Sequence, residues 1–365
     1  MRIAVDISWL ALGKSGIPVY IREVLSELQR IDQKNEYFLF ELTPSGYTVN
    51  NPKWKLKTSR IPNFRGYATF WFQCVLPILL IKNKIDCLWA PVYFCPFLLR
   101  RKMRVLLTIY DCTNYRFPYT LDSGFARRFK YLYPYSIRRA DGILTISEYV
   151  KKELQEQYLR NLNKKIYVGC CGKPAWNVSS DYQPGNRSDF LFFPGNFEPR
   201  KNILTLVKAL EILFQQGITV PLQISGPSGW GNNEIHAYLN NSSVKKSITF
   251  LGFLSEQDLI NKYSTCKALV FPSLYEGFGM PVLEALSLDC LVLTSKNTVM
   301  QEICGKAAVY FDPNNPHEIA DAIKAIFNRD FDRNNYLCYK DPVLEKYSWK
   351  ETAEIVQQAL VEGKN

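Results

Sequence analysis

Short apolar runs recur along this chain with amphipathic stretches between them, and the pattern begins twice. Arg2 to Ile7 reads as a strand, and Gly13 and Gly16 mark the loop after it. Ile17, Tyr20, Ile21, Val24, Leu25 and Leu28 then fall on one face of a helix. Further strand-like runs follow at Tyr37–Leu42, Cys87–Ala90, Val105–Tyr110, Ile143–Ile146 and Ile166–Val168. A strand covered on both faces reads as a continuous apolar run, so this alternation predicts a parallel sheet with helices on each side. Gly172 to Ser188 is polar and contains Pro174, Pro184 and Gly185, which suits a linker. The pattern then restarts at Phe190–Phe193 and continues through Leu222–Ser225, Ile248–Leu251, Ala268–Phe271, Leu291–Thr294 and Val309–Phe311. The expected fold is α/β with two Rossmann-like domains, residues 1–172 and 187–345, followed by a terminal segment, 346–365, that is helical from Trp349 to Val361. Ser255-Glu-Gln-Asp258 has the form of a helix-capping box.

With 365 residues, 47% of them hydrophobic and 22% charged, the chain can build two ordinary soluble cores. Its formal charge of +11 calls for an anionic partner: a nucleoside diphosphate, an anionic lipid surface or a nucleic acid. The basic residues are scattered, with neither a stacking-aromatic RNA motif nor a zinc finger, so nucleic acid is not the expected partner. Ten cysteines sit mostly in apolar runs without zinc-type spacing, which predicts reduced thiols in a cytoplasmic protein. No secretory leader is expected, since Asp6 interrupts the first apolar run. Val75–Ile81 is too short to span a membrane. With Phe70, Trp71 and Phe72 before it and Lys82–Lys84 after it, it reads as a core helix of the first domain or as an interfacial segment. Phe125–Pro134 pairs basic with aromatic residues and suits either peripheral contact with an anionic membrane or an amphipathic helix packed on its own domain.

The chemistry concentrates in the second half. Phe271-Pro-Ser-Leu-Tyr-Glu276-Gly-Phe-Gly-Met-Pro-Val-Leu-Glu284 leaves an apolar strand through a tight loop and enters a helix. Gly277 and Gly279 let the backbone approach a ligand, and the amides at the helix start favour an anion. Glu276 precedes that helix and Glu284 lies about one turn inside it. Gly195 opens the loop after the first strand of this half, and Arg200-Lys201 ends it. A planar guanidinium beside a point ammonium suits a pyrophosphate that gains charge as it leaves. Backbone groups at Ser225-Gly226 and at Gly252-Phe253-Leu254, also at strand ends, are the candidates for holding a base. His236 and His317 are the two histidines, and both lie away from these motifs, so no metal site is expected. Asp330-Phe-Asp332 has a metal-binding spelling but falls in a charged loop.

Two glutamates flanking seven residues, with Gly-Phe-Gly and Pro between them, resemble the retaining GT-B glycosyltransferases of family GT4, glycosyl transferases group 1, in the mannosyltransferase-like branch. The segments Thr108–Asp111, Phe117-Pro118, Arg138–Asp141 and Ile146–Glu148 resemble the same branch. The resemblance implies two Rossmann-like domains facing each other across a cleft, the first on the acceptor side and the second binding the nucleotide sugar, with the last helix crossing back. It places Glu276 on donor-sugar hydroxyls and Glu284 on the ribose. The amides of Gly277, Phe278, Gly279 and Met280 would hold sugar and phosphate. Arg200 and Lys201 would hold the leaving phosphates, with Gly16 near donor phosphate and acceptor. One departure stands out: members carry His-Asp where this chain has Tyr110-Asp111.

The implied activity is transfer of a hexose from a nucleoside diphosphate sugar, GDP-mannose first, to a saccharide or lipid-linked saccharide in bacterial surface polysaccharide synthesis, without cofactor or metal. A UDP-sugar donor is the alternative. A sugar phosphorylase or epimerase, or a non-catalytic anion-binding protein, would use the same architecture.

Overall fold

A computed structural model describes residues 1–13, 16–59, 61–62, 64–120, 123–160, 162–176, 187–226 and 233–362. Residues 177–186 of the expected linker lie outside the described residues. The chain divides into two compact units, one made of residues 1–116, 121–172 and those from Ser348 onward, the other of 117–120 and 173–347.

The first unit is built on seven parallel strands: β1 (Arg2–Asp6), β2 (Glu36–Glu41), β3 (Trp54–Thr58), β4 (Cys87–Ala90), β5 (Arg104–Ile109), β6 (Gly142–Thr145) and β7 (Lys165–Val168). They lie in the order β3-β2-β1-β4-β5-β6-β7. The strand order reverses between β1 and β4, where Ile3 pairs with Cys87. In open parallel sheets the loops leaving the strands at such a switch point form the ligand crevice. Ile3, Val5, Leu88, Trp89, Leu106 and Leu107 are almost wholly buried, which explains the continuous apolar spelling of the central strands.

β3 is the strand that the apolar pattern does not announce. Its sequence, Trp-Lys-Leu-Lys-Thr, alternates at the sheet edge, where Trp54 stacks on Tyr37 with ring centroids 4.2 Å apart and Lys55 is exposed. Lysines on an edge strand hinder pairing with another chain, so this spelling is what an edge permits.

Helix Ile17–Ile31 buries the face anticipated from its periodicity, Tyr20, Ile21, Val24, Leu25 and Leu28. Helix Trp349–Val361 packs against it. The rings of Tyr20 and Trp349 lie 5.7 Å apart, and the Arg104 guanidinium donates to the Ala359 carbonyl at 2.9 Å.

Phe125–Pro134 lies within helix Ser123–Arg139. Its aromatic residues divide by helical geometry: Phe129 and Tyr133 are buried, with Phe129 5.3 Å from Tyr93 and 5.2 Å from Phe94, whereas Tyr131 is exposed. Most of the segment's aromatic surface therefore belongs to the core, and the amphipathic-helix alternative describes it.

The second unit repeats the architecture with six parallel strands: β8 (Leu191–Pro194), β9 (Leu222–Ser225), β10 (Ile248–Gly252), β11 (Ala268–Phe271), β12 (Leu291–Ser295) and β13 (Ala308–Phe311). Their order is β10-β9-β8-β11-β12-β13, with the reversal between β8 and β11, where Ala268 pairs with Leu191. Helices Ile203–Gln215 and Pro316–Ile326 cover one face through Leu206, Leu210, Ile319 and Ile323. Ser255 caps helix Glu256–Thr265 by accepting the Asp258 N–H at 3.2 Å, and its hydroxyl donates to the Asp258 carboxylate at 2.6 Å.

In the first unit, Gly172 passes so close to the start of the terminal helix that an added Cβ would lie 2.5 Å from the Trp349 nitrogen. Backbone cannot yield as a flexible side chain does, and overpacking of this kind costs about 1–3 kcal/mol. Gly172→Ala is expected to lower the thermal midpoint by several degrees; an unchanged midpoint would rule out this contact.

Candidate active site

In the second unit the loops leaving β8 and β11 emerge side by side at the switch point. The first turns through Gly195, at φ 155°, into the 3-10 turn Pro199–Lys201 and then Asn202, which adopts a left-handed φ of 62° ahead of helix Ile203–Gln215. The Asn202 amide donates to the carbonyls of Pro272 at 3.0 Å and Pro313 at 2.6 Å, fastening the β8 loop to the loops after β11 and β13. The Leu274 N–H adds a bond to the Arg200 carbonyl at 2.8 Å. These ties fix where Arg200 and Lys201 point.

Both cations converge on one carboxylate from the second loop. Arg200 Nη1 donates to Glu276 Oε2 at 2.6 Å, and Lys201 Nζ donates to Glu276 Oε1 at 2.6 Å. The Ser273 hydroxyl donates to the same Oε1 at 2.9 Å. On its other side Arg200 Nε bonds Glu198 Oε2 at 2.6 Å, and Glu198 in turn accepts from the Asn196 amide at 2.5 Å. Glu276 is only 9% exposed. Burial pushes its carboxyl up, but Arg200 and Lys201 outweigh burial and bring it down to about 2, so it is ionised at neutral pH. Lys201 is held below the ordinary lysine range, by burial first, with Glu276 opposing the shift. Its ammonium also lies 4.8 Å from the centre of the Phe271 ring.

The glycines here have two different reasons. Gly279, at φ 145°, opens helix Met280–Ser287, and a Cβ there would lie 2.7 Å from the Met300 methyl. That helix begins without a side-chain cap; Pro281 in its first turn has no N–H, and the Val282 N–H donates to the Gly279 carbonyl at 2.9 Å. Gly226, at φ 128°, lets two loops touch: a Cβ there would lie 2.5 Å from the Gly195 carbonyl oxygen. The Gly195 N–H donates to the Ser225 carbonyl at 2.8 Å and the Gly226 N–H to the Gly252 carbonyl at 2.8 Å. Ser225 and Gly226, which the sequence reading gives to the base, thus spend these groups in joining strand ends. Phe253, beside them, is 76% exposed.

Glu284 has its own partner. The Tyr263 hydroxyl donates to Glu284 Oε2 at 2.7 Å, and burial pushes the Glu284 carboxyl up, partly offset by that bond. Neither Tyr263 nor Ser273 carries a sequence signal for its part here. Asn202 carries a faint one, as an amide residue just ahead of an apolar helical run. Tyr275 and Phe278 are buried beside Glu276 in sequence, with Phe278 5.3 Å from Tyr347.

In the first unit Gly16, at φ 53°, precedes helix Ile17–Ile31, which also lacks a side-chain cap and has Pro18 in its first turn. Tyr110 follows β5 and is 5% exposed, its ring 5.4 Å from Tyr20 and 5.8 Å from Tyr93. Its hydroxyl is buried without a hydrogen-bond partner among the described residues. Burial pushes that hydroxyl well above the ordinary tyrosine range. Asp111 accepts the Thr113 N–H at 3.1 Å and a bond from the Tyr93 hydroxyl. Asp330 and Asp332 are exposed, and Asp332 accepts the Asn334 N–H in a surface turn. Among the described residues no group of three or more His, Cys, Asp or Glu is placed to hold a metal ion.

Comparison with known proteins covers nearly the same ground. Residues 14–172 match the family described as Glycosyltransferase Family 4, and residues 176–339 the family described as Glycosyl transferases group 1. O-antigen chain mannosyltransferase B of Escherichia coli is 28% identical over 251 residues, 65% of this chain and 62% of that protein. The serotype-specific mannosyltransferase WbdA of Escherichia coli is 32% identical over 173 residues, 46% of this chain and 21% of its own length. The chain thus spans less than two thirds of either relative. Among solved structures, sucrose-phosphate synthase from Thermosynechococcus elongatus shares the fold at a TM-score of 0.73 and 16% identity, over 98% of both chains. WaaG, a glycosyltransferase involved in lipopolysaccharide biosynthesis, shares it at 0.69 and 12% identity over 100% of both. HepE from Anabaena, solved with UDP and glucose, shares it at 0.69 and 13% identity over 99% of both. With two parallel-sheet Rossmann-like units and matches across both halves, this chain belongs to the GT4-type glycosyl transferases group 1 of the GT-B fold.

Proposed function

We propose that this glycosyltransferase moves a hexose with retention of configuration from a nucleoside diphosphate sugar, GDP-mannose first, to a saccharide or lipid-linked saccharide acceptor in bacterial surface polysaccharide synthesis. The observation that carries the reading is the Arg200–Glu276–Lys201 arrangement at the switch point of the second sheet. A carboxylate that holds a guanidinium and an ammonium a fixed distance apart pre-organises them for a diphosphate, which accepts from the same donors. The mannosyl donor follows the relatives named as mannosyltransferases. A UDP-sugar is the second reading, favoured by HepE, which was solved with UDP and glucose.

In the proposed reaction Arg200, Lys201 and the loop amides that lead into helix Met280–Ser287, up to Met280, take the diphosphate. Glu276 orients the two cations and then shares them with the donor, a role that the resemblance to the family does not assign to it. Glu284, with Oε2 fixed by Tyr263, offers Oε1 to a ribose hydroxyl. The bond from C1 of the sugar to the β-phosphate oxygen breaks as the acceptor oxygen bonds C1 on the same face. The departing phosphate oxygen takes the acceptor proton. Tyr110 contributes shape rather than basicity, because burial moves its hydroxyl further from titration at neutral pH. No step uses a metal ion.

Incubation with GDP-mannose and with UDP-glucose in the presence of EDTA, with proton NMR of the product, tests this reading. Transfer with the anomeric configuration of the donor preserved is expected. An inverted product, or activity lost in EDTA and restored by manganese, contradicts it.

The Glu276 contacts also predict a pH dependence. Its folded pKa lies below the ordinary value of 4.5, at about 2, so its stabilisation is complete above about 4.5 and is lost as pH falls through about 2. That difference corresponds to about 3 kcal/mol. Glu276→Gln is therefore expected to be markedly less stable than the wild type at neutral pH, with the gap closing between pH 4.5 and pH 2. Parallel denaturation curves at all these pH values would show that Glu276 is not held by the two cations.

A further inference from the structure

Two of the ten cysteines meet in the second unit. The sulfurs of Cys266 and Cys290 lie 3.3 Å apart, closer than Cys266 comes to the Tyr263 carbonyl, at 3.7 Å, or Cys290 to the Leu291 carbonyl, at 3.5 Å. Sheet order brings them together. Cys266 follows helix Glu256–Thr265 just ahead of β11, and Cys290 follows helix Met280–Ser287 just ahead of β12. β11 and β12 are neighbours, with Ala268 paired to Leu291. Adjacent strands lie about 4.8 Å apart and a disulfide joins Cα atoms roughly 4.4–6.8 Å apart, so the backbone here suits a bond between the two. The pair stands where the strands begin, while the loops that carry Arg200 and Glu276 leave from the opposite strand ends.

Arg187 joins the two segments. Its guanidinium donates to the carbonyls of Tyr263 at 2.5 Å, Cys266 at 3.0 Å and Leu288 at 2.9 Å. Among the described residues it forms no ion pair with a carboxylate, and its Nε is buried without a hydrogen-bond partner. A buried cation without a counter-charge is costly, and a thiolate at Cys290 supplies one. Burial pushes the Cys290 thiol up, but the Cys266 S–H, Arg187, the Leu269 N–H and Arg333 outweigh burial and bring it below the ordinary cysteine range. Cys266 is pushed well above that range, by burial first and then by Cys290. Cys290 thus gives up its proton first and Cys266 keeps one to donate, which is the asymmetry that thiol oxidation needs.

We propose that Cys266 and Cys290 form a redox-sensitive pair that hydrogen peroxide closes to a disulfide within the folded second unit. The Cys290 thiolate attacks one peroxide oxygen, the O–O bond breaks, and the departing hydroxide takes up the proton that Cys290 released. The Cys266 sulfur then bonds the Cys290 sulfur as the S–O bond of the sulfenic acid breaks, and the hydroxyl leaves as water with the Cys266 proton. In total two thiols give up two electrons and two protons, and one peroxide becomes two waters. Both residues are fully buried, so the oxidant is a small molecule admitted by local opening. The cysteines are 24 residues apart in the chain, and a bond between them restricts the unfolded state. The inference is independent of the donor and of the transfer chemistry.

Peptide mass spectrometry tests it on the full chain, exposed to hydrogen peroxide under native conditions and then alkylated and digested. A linked Cys266–Cys290 peptide is expected, lighter by two hydrogens than the two reduced peptides together and returned to them by dithiothreitol. The oxidised protein is expected to melt several degrees above the reduced one. Cys266→Ala and Cys290→Ala, each checked for folding by circular dichroism, should abolish both the linked peptide and the rise. The mapping and the melting shift are read on the wild type, so they decide the matter even where a variant misfolds. Both cysteines recovered as free thiols, after exposure that oxidises the exposed Cys338, would overturn the proposal. So would Cys290 recovered as a sulfinic or sulfonic acid without a link to Cys266, a link from either residue to another cysteine, or a midpoint that fails to rise.

Discussion

Arg200 and Lys201 come from one loop and Glu276 from another, about 75 residues further along the chain, and they meet where water scarcely reaches Glu276. Taking such charges out of water is costly unless geometry and further hydrogen bonds offset it. Here Ser273 and Glu198 supply the additional bonds, and Asn202 fixes the loops that carry them. The order of the second sheet makes the meeting possible, because β8 and β11 are neighbours across the point where strand order reverses.

The arrangement changes what each residue does before any ligand arrives. Sequence resemblance gives Glu276 to the sugar and the two cations to phosphate, as three separate contacts. In the folded protein both oxygens of Glu276 are occupied by the cations and Ser273. A buried ion pair of this kind contributes little net stability against an apolar alternative, while removing one partner is costly. On the proposed reading its value lies in orientation: two cations already held in place would need little reorganisation to meet a diphosphate.

Much of the fold was legible because buried parallel strands spell themselves out. Leu191-Phe-Phe and Ala268-Leu-Val-Phe have no polar residue to interrupt the reading, and both are fully buried. β3 escaped because an edge strand alternates lysine with apolar residues, and five such residues look like a loop. Arg200, Lys201, Glu276 and Glu284 were legible as motifs, since each motif is local. That the first three form one cluster, and that Tyr263 holds the fourth, was not, because those contacts arise from sheet order rather than from spacing. The apolar run at Val75–Ile81 was ambiguous for a similar reason: composition cannot say which side of a helix meets the core.

The central claim is that Arg200 and Lys201, set by Glu276, form a grip for a diphosphate. Calorimetric titration of the wild type, Arg200→Ala and Lys201→Ala with a nucleoside diphosphate and with the matching monophosphate measures this most directly. The wild type is predicted to prefer the diphosphate, and either substitution is predicted to remove most of that preference while leaving monophosphate affinity nearly unchanged. A diphosphate preference that survives in both variants, with the proteins folded, would contradict the account.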